Sequence, residues 1–484
     1  MKVTAREEIV RLIDDACEQN MWITGAERHR FLARAAAENW DGERAAVAIK
    51  KGAPAVRKAY YHVSDRMGNK EHYYRLPQIV FPVGKESFLR IEPRYQWLRL
   101  SGSFRVVISP YFDYNYSARN RFQPMSFTIE AESNVISLPL IFDHEDLYVI
   151  HVTSLVGEEE HELLSANVYA LEDDLAGLEP LKADLHIHTT YSDGFEPPEH
   201  VVAAARRAGM DVVAITDHNA FEGSAVAREA ADDEGLNLTV LTGEEFSLEY
   251  SPMHILCLGC DAPIDRKFLT KQILEMPETK RIAAKAHNLS CDVDAFSATQ
   301  VLLEEIAHRN GLSILAHPYW KPIFGDGTRI DTPESLFREL ARHRRFDGIE
   351  LVSGSPVGEY NVSALQASLA HEMVGSLDDM PVLGITDSHY FSSDPISGQH
   401  FTIVLSASRD SADILQALRI GRCCAVEMVD GVPLCYGSHR LAKYVTFLVK
   451  NYYPERDRIA HIEGERALMQ SEGYNHNPIR NISR

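Results

Sequence analysis

His186 and His188 stand two apart in Asp184-Leu-His-Ile-His188, inside a run that reads as a strand. Residues i and i+2 of a strand share a face, so both imidazoles point one way while Leu185 and Ile187 turn toward a core. Paired imidazoles on one face chelate an ion of the Zn, Mn or Fe type. Groups of the same chemistry follow at the ends of further apolar runs. Residues 212–216 lead into Asp217-His218, 238–241 into Gly243-Glu244-Glu245, 313–316 into His317-Pro318, and 382–385 into Asp387-Ser388-His389. Asp193 adds a carboxylate from the loop after the first run. One such coincidence is common, but five in order are not. His254 opens its apolar run instead of closing it, so either that strand runs against the others or His254 is a core residue. Asp217 also has two readings: an acceptor that orients a ligand imidazole, or the N-cap of the helix that follows.

These groups need a frame that brings strand ends together. From residue 182 onward strand-like runs alternate with helical ones, at 183–188, 198–208, 212–216, 223–233 and 238–241, and the beat returns at 313–316, 348–351 and 382–385. Alternating β and α text predicts a parallel sheet or barrel. In a (β/α) barrel the C-terminal strand ends converge on one mouth, where active sites lie. A largely helical insertion is expected over 261–310. Earlier in the chain, residues 75–180 carry short alternating or β-branched runs such as 78–81, 97–100, 104–108, 125–129 and 147–152, separated by Gly, Pro, Asn and Asp. That texture predicts an antiparallel β-sandwich, with the acidic stretch 158–162 as a solvated turn. Residues 1–74 read as helical, with Ile9, Leu12, Ile13 and Ala16 at helical spacing. Residues 441–484 read as a helix and a polar tail. The expected fold is thus multidomain: a helical segment at 1–74, a β-sandwich at 75–180, a (β/α) barrel at 181–440, and the C-terminal helix and tail.

Length and charge agree. A chain of 484 residues exceeds one ordinary core, and 45% hydrophobic with 25% charged residues is a soluble globular composition. The net charge of −21 speaks against a surface that tracks long nucleic acid. A small anionic substrate stays possible, because bound dications invert the sign of a carboxylate-lined pocket. Seven cysteines, an odd number spread over a long chain, do not resemble a disulfide framework. Cys257 and Cys260 form a C-x-x-C, which suits redox chemistry or half a zinc site. They lie in and at the exit of an apolar run with no second pair, so buried structural thiols are expected. The N-terminal residues have no apolar core of a leader, and no run of 18 apolar residues occurs. A cytoplasmic protein without a membrane partner is the expectation.

The blocks Asp184-Leu-His-Ile-His-Thr-Thr-Tyr-Ser-Asp-Gly194, Ile215-Thr-Asp-His218, Gly243-Glu-Glu245, His254-Ile-Leu, Leu315-Ala-His-Pro318 and Asp387-Ser-His389 together resemble the polymerase and histidinol phosphatase (PHP) superfamily of metal-dependent hydrolases. The resemblance spans residues 182 to about 427. It implies a distorted (β/α)7 barrel with two or three divalent ions (Mn, Zn or Fe). It assigns His186, His188, Asp193, His218, Glu245, His254, His317, Asp387 and His389 as ligands, with Glu245 rather than Glu244 as the bridging carboxylate. Asp193, His218, Glu245, Asp387 and His389 are expected to share in catalysis. The text 347–350, 384–389 and 415–422 more loosely resembles the carbaryl-hydrolase-like branch, in which a β-rich domain precedes the barrel.

Two or three dications within about 4 Å of one another can hold a water and lower its pKa toward 7, giving a hydroxide nucleophile between the metals. Three functions follow for test. The first is a phosphoesterase for a small phosphorylated metabolite, nucleotide or short oligonucleotide. The second is a hydrolase of carboxylic, amide or carbamate esters. In the third the barrel is vestigial and the protein binds a glycan or partner through its β domain, which could equally mediate oligomerisation. In the loop after His317, Lys321 or Arg329 could hold a phosphate and Tyr319 or Trp320 could stack on a ring. His287, His308, His343, His371 and His400 have no partner motif and read as surface or core residues.

Overall fold

The computed structural model describes residues 73–111, 124–156 apart from 133, 159–318, 334–343, 346–353 and 380–471, with Gln366 and a few positions up to His371. Residues 1–72 of the helical segment predicted at 1–74, the loop holding Tyr319, Trp320, Lys321 and Arg329, and the tail from 472 lie outside the described residues, while Tyr74 at the end of that segment lies in a strand. Two compact units divide at Glu172 and Asp173.

In the first unit the described strands are β1 (Tyr74–Arg75), β2 (Val80–Pro82), β3 (Ser87–Pro93), β4 (Ser103–Pro110), β5 (Met125–Glu130), β6 (Ile136–Leu140), β7 (Asp146–Val156) and β8 (Glu159–Leu171). They form two sheets, ordered β1-β3-β6 and β2-β8-β7-β4-β5. Alternation does the sorting: Phe104, Val106 and Ile108 of β4 and Ile136, Leu138 and Leu140 of β6 are buried in one core while their neighbours face outward. Two expectations fail here. Residues 97–100 are not a strand, because a turn from Tyr95 to Leu98 interrupts the run. The Asn134 side chain then takes the backbone of Leu98 and Leu100 that a strand neighbour would have paired. The described part of the acidic stretch is not a turn either: Glu160, His161 and Glu162 belong to β8, paired with Leu155, Ser154 and Thr153 of β7. They sit at the far end of a long hairpin, where both faces are wet.

In the second unit β9 (Glu179–Ile187), β10 (Val212–Ile215) and β11 (Thr239–Ser247) run parallel. β12 (His254–Leu258) is antiparallel to β11 and to β13 (Leu312–Leu315), and β14 (Gly348–Val352) and β15 (Val382–Gly384) continue parallel to β13. β16 (His400–Ser406) returns antiparallel on the other side of β9, followed by β17 (Cys423–Val429) and β18 (Val432–Tyr436). This ten-stranded sheet curls into a nearly closed barrel. The residues after β15 reach the end of β9, where Asp387 N donates to His186 O and His188 N to Ser388 O.

Helices cover the outside. Pro198–Arg207 starts on a proline, carries Glu199 in its first turn and Arg206 and Arg207 in its last, and buries Val201, Val202, Ala204 and Ala205. Val293–His308 is capped by Asp292, whose side chain accepts from Ala295 N at 2.7 Å. Within 261–310 that helix follows the short helix Pro277–Ala283 and two 3-10 turns. The polar C-terminal text folds as two helices, His439–Asn451 and Tyr453–Ser471. Cys257 and Cys260 are buried, yet they are joined as a disulfide and are not free thiols. Gly259, at φ +76°, folds the chain back just past β12 and brings the two sulfurs together.

Candidate metal centre

The nine side chains expected as ligands meet at one end of the barrel. His186 lies near the end of β9 and His188 just beyond it; His218 follows β10, Glu245 lies in β11, His317 follows β13, and Asp387 and His389 follow β15. His254 joins them for a simple reason. Its strand runs backward, so the first residue of β12 lies where the parallel strands end, and Ser247 pairs with His254. Glu245 faces the cluster, whereas Glu244 points to the other side of β11, where it accepts from Ile264 N and burial pushes its carboxyl up to about 7. Two of the expected ligands hold a backbone that L-residues avoid: His317 at φ +26° and Asp387 at φ +54°.

Glu245 stands at the centre. Its Oε2 lies 3.1 Å from His186 Nε2, 3.1 Å from His188 Nε2 and 3.2 Å from His218 Nδ1. Its Oε1 lies 2.8 Å from His254 Nδ1 and 3.0 Å from His317 Nε2. Asp387 Oδ1 is 3.2 Å from both His186 Nε2 and His188 Nε2, and those two nitrogens face each other at 3.1 Å. Three groups could each hold an ion: His186, His188, Glu245 and Asp387; His188, Asp193, His218 and His389; and His218, Glu245 and His254. The spacing fits such occupants. Ligand atoms about 2.1 Å from an ion are about 3.0 Å apart in an octahedron and about 3.4 Å apart in a tetrahedron. In the first group the two imidazoles lie at such distances from each other and from both carboxylates. Donors that are all imidazole or carboxylate suit Zn, Mn or Fe.

The charges compensate each other. Burial alone would push Glu245 up, but the His186 charge and bonds from His186, His188 and His254 hold it well below the usual carboxylate range. Asp387 is lowered in the same way, against its burial, by His186 and His188. Burial would depress His188, yet Asp387 and Glu245 raise it to about 9, and Glu245 raises His186 and His317. The base of the site is dry, with His186, His188 and Glu245 at most 1% exposed. Its open edge is Asp193, whose side chain is 56% exposed, next to His389 at 29%. The His389 contact, Nε2 to Asp193 Oδ2 at 3.3 Å, lowers Asp193.

The outer partners were harder to foresee. Glu350, in β14 and fully buried, accepts from His186 Nδ1 at 2.7 Å through one oxygen and from His317 N at 2.7 Å through the other. A lone carboxylate in the apolar run Gly348–Val352 was the available signal. Ser247 bonds His218 Nδ1 at 2.9 Å. Asp184, raised to about 7 by burial, accepts from Thr386 Oγ1 at 2.7 Å and so ties β9 to the segment before Asp387. Neither reading of Asp217 holds. Its carboxylate accepts from Thr189 N, Thr189 Oγ1 and Ser192 Oγ, each at 2.7 Å, and so fixes the loop after β9. No side-chain cap of the helix Glu222–Asp233 involves it. Ser192 in turn meets His188 Nδ1 at 3.3 Å, so Asp217 acts one residue further from the imidazole than expected. His287, His308, His343 and His371 are exposed and His400 is buried in β16.

Known proteins are similar to parts of this chain. The 5'-3' exoribonuclease Rnm of Salmonella typhimurium is 38% identical over 112 residues, 22% of this chain and 38% of that protein. Its namesake from Escherichia coli is 40% identical over 93 residues, 18% of this chain and 32% of that protein. The chain thus spans about a third of the length of these relatives. A two-domain protein from Bacteroides vulgatus, described as containing a PHP-like metal-dependent phosphoesterase, has a solved structure that is 20% identical with a TM-score of 0.36, covering 52% of this chain and 66% of that one. The sequence model of the PHP domain matches residues 184–374, the stretch that supplies seven of the nine clustered side chains. Over those residues, less than half of its length, the chain is similar to the PHP family.

Proposed function

We propose that this protein is a metal-dependent phosphoesterase that hydrolyses a small phosphorylated metabolite, a nucleotide or a short oligonucleotide. The observation that carries the reading is Glu245, dry and central, with one oxygen on each side of a cluster whose donor atoms are spaced as ligands of adjoining ions. Bound dications would supply Lewis-acid charge and activate a water. The chain's own residues do the rest. His186, His188 and Glu245 exclude bulk water at the base, Glu350 aims the His186 ring, and Asp193 and His389 form the edge a substrate meets first. Among the nine, three carboxylates bring about three negative charges, which two dications outweigh, so the loaded pocket attracts an anion. The exoribonuclease relatives support including phosphodiesters among the candidates. In this reading the second unit is a distorted (β/α)7 barrel, and the two sheets of the first are a β-sandwich free to bind a glycan or mediate oligomerisation.

Metal content by mass spectrometry, followed by assays with Mn²⁺ on p-nitrophenyl phosphate, bis-p-nitrophenyl phosphate and p-nitrophenyl acetate, tests this. Two or more metals per chain with metal-dependent release from either phosphate is the expected result. Cleavage of the acetate alone would assign a carboxyl-type hydrolase instead. No metal uptake after loading with Mn²⁺, Zn²⁺ or anaerobic Fe²⁺ would refute the reading.

A further inference from the structure

Phe195 and Tyr390 stack face to face, with ring centroids 4.3 Å apart and planes within 8°, yet remain 64% and 48% exposed. Exposed apolar groups that cluster at a site ask for a function, and this pair sits on the two segments that supply the open-edge ligands. Phe195 is two residues beyond Asp193, and Tyr390 directly follows His389. The segments are locked together on both sides of the rings. Phe195 N donates to His389 O at 2.9 Å, and Ser392 N donates to the Glu196 carboxylate at 3.0 Å, with Ser392 Oγ bonded to the same carboxylate. Thr190 N closes the first segment on Glu196 O at 3.0 Å. Asp193 Oδ2 and His389 Nε2 then meet at 3.3 Å, and the His389 ring stacks on His188 at 4.3 Å. A flat pair held this firmly has little ordering entropy left to lose when a third ring is added.

We infer that Phe195 and Tyr390 form a stacking platform for a planar ring carried by the phosphoester, such as a nucleobase, and so select ring-bearing substrates. The inference rests on the phosphoesterase reading for the identity of the reacting group. A base stacked on an aromatic side chain is read mainly by its π face, so the platform selects a ring without selecting one base over another.

The test compares adenosine 5'-monophosphate with ribose 5-phosphate, and a dinucleotide with its analogue lacking one base, on the metal-loaded full chain. Binding of the monophosphate is followed separately by calorimetry. Wild-type protein should favour the base-bearing member of the pair it cleaves. Phe195→Leu and Tyr390→Leu, which stay apolar but lose the flat face, should cut that preference about tenfold and weaken nucleotide binding similarly. Phe195→Tyr and Tyr390→Phe should restore both, with metal content at the wild-type level in all four. An unchanged preference and unchanged binding in the leucine variants would overturn the platform and leave the phosphoesterase intact. Loss of nucleotide binding in the leucine variants of a protein that cleaves no phosphoester would keep the platform and overturn the activity.

Discussion

At the scale of single residues, the carboxylate of Glu350 joins two ligands that come from different strands. One oxygen receives His186 Nδ1–H, which leaves Nε2 free to face the cluster, and the other receives His317 N and so anchors a backbone held at φ +26°. Outer partners of this kind typically change metal affinity by about 10- to 100-fold. Glu350→Gln keeps the shape but weakens both bonds, so metal affinity measured against a competing chromophoric chelator should fall by about tenfold. Affinity equal to wild type would show that the brace is dispensable. His400, which is not among the nine clustered side chains, makes a prediction of the opposite kind. Burial pushes its imidazole down to about 4, against the pull of Asp394, and Glu427 stands 3.8 Å away. The unfolded chain protonates this group near pH 6.5 and the folded chain does not, so stability is complete above that pH and is lost as pH falls toward 4, by about 3 kcal/mol. The melting temperature of wild type should therefore drop more steeply between pH 7 and 5 than that of His400→Phe. Parallel pH profiles would refute this. The expected ligands were legible in the sequence because they end or open apolar runs, apart from Asp193, which follows one in a loop. Glu350 and Ser247 were not: a lone carboxylate in an apolar run and a serine at a strand end gain a role only from the imidazole nitrogen each touches.

At the scale of elements, β12 shows why position in a run can mislead. In a frame of parallel strands its leading histidine belongs at the wrong end, and only the antiparallel pairing with β11 and β13 brings it to the mouth. No local propensity reports strand direction, so the residues alone left His254 undecided. The misread stretches 97–100 and 160–162 fail for a related reason: strand or turn was settled by pairing and not by residue type, with Asn134 as the partner in one case and the adjoining strand β7 in the other. Closure of the barrel depends on a short element that was legible as the run 382–385, the three residues of β15. A Cβ on Gly384 would come 2.4 Å from Phe401 O and 3.0 Å from Val426 N, both backbone atoms that cannot swing aside. Gly384→Ala should therefore push β15 off β16 and β17, costing roughly 1–3 kcal/mol and shifting Asp387 and His389 along with it. Lower melting temperature together with lower metal occupancy is the expected pair of results. A stable variant with full occupancy would show that closure tolerates the displacement.

At the scale of the whole molecule, the two units own separate cores. Leu89, Val106, Ile136 and Val152 pack with their own kind in the first unit, and Leu181, Val212, Leu241 and Leu383 do so in the second. Every side chain of the metal centre belongs to the second. A ligand that binds only the folded form stabilises the part that holds it, by about 2.7 kcal/mol at 100 times its dissociation constant. For a unit of this size that is about 4 °C in melting temperature. Calorimetry of the full chain before and after chelation should therefore show one transition moving down and the other staying in place. The movement should be larger at pH 8 than at pH 6. Raised imidazoles such as His188, at about 9 without metal, must release protons before they can ligate, and acid opposes that release. A chelator effect shared equally by both transitions would mean that the units unfold together. No effect on either would mean that the cluster holds no metal tightly enough to matter for folding, and the reading of the site as a metal centre would then need another basis.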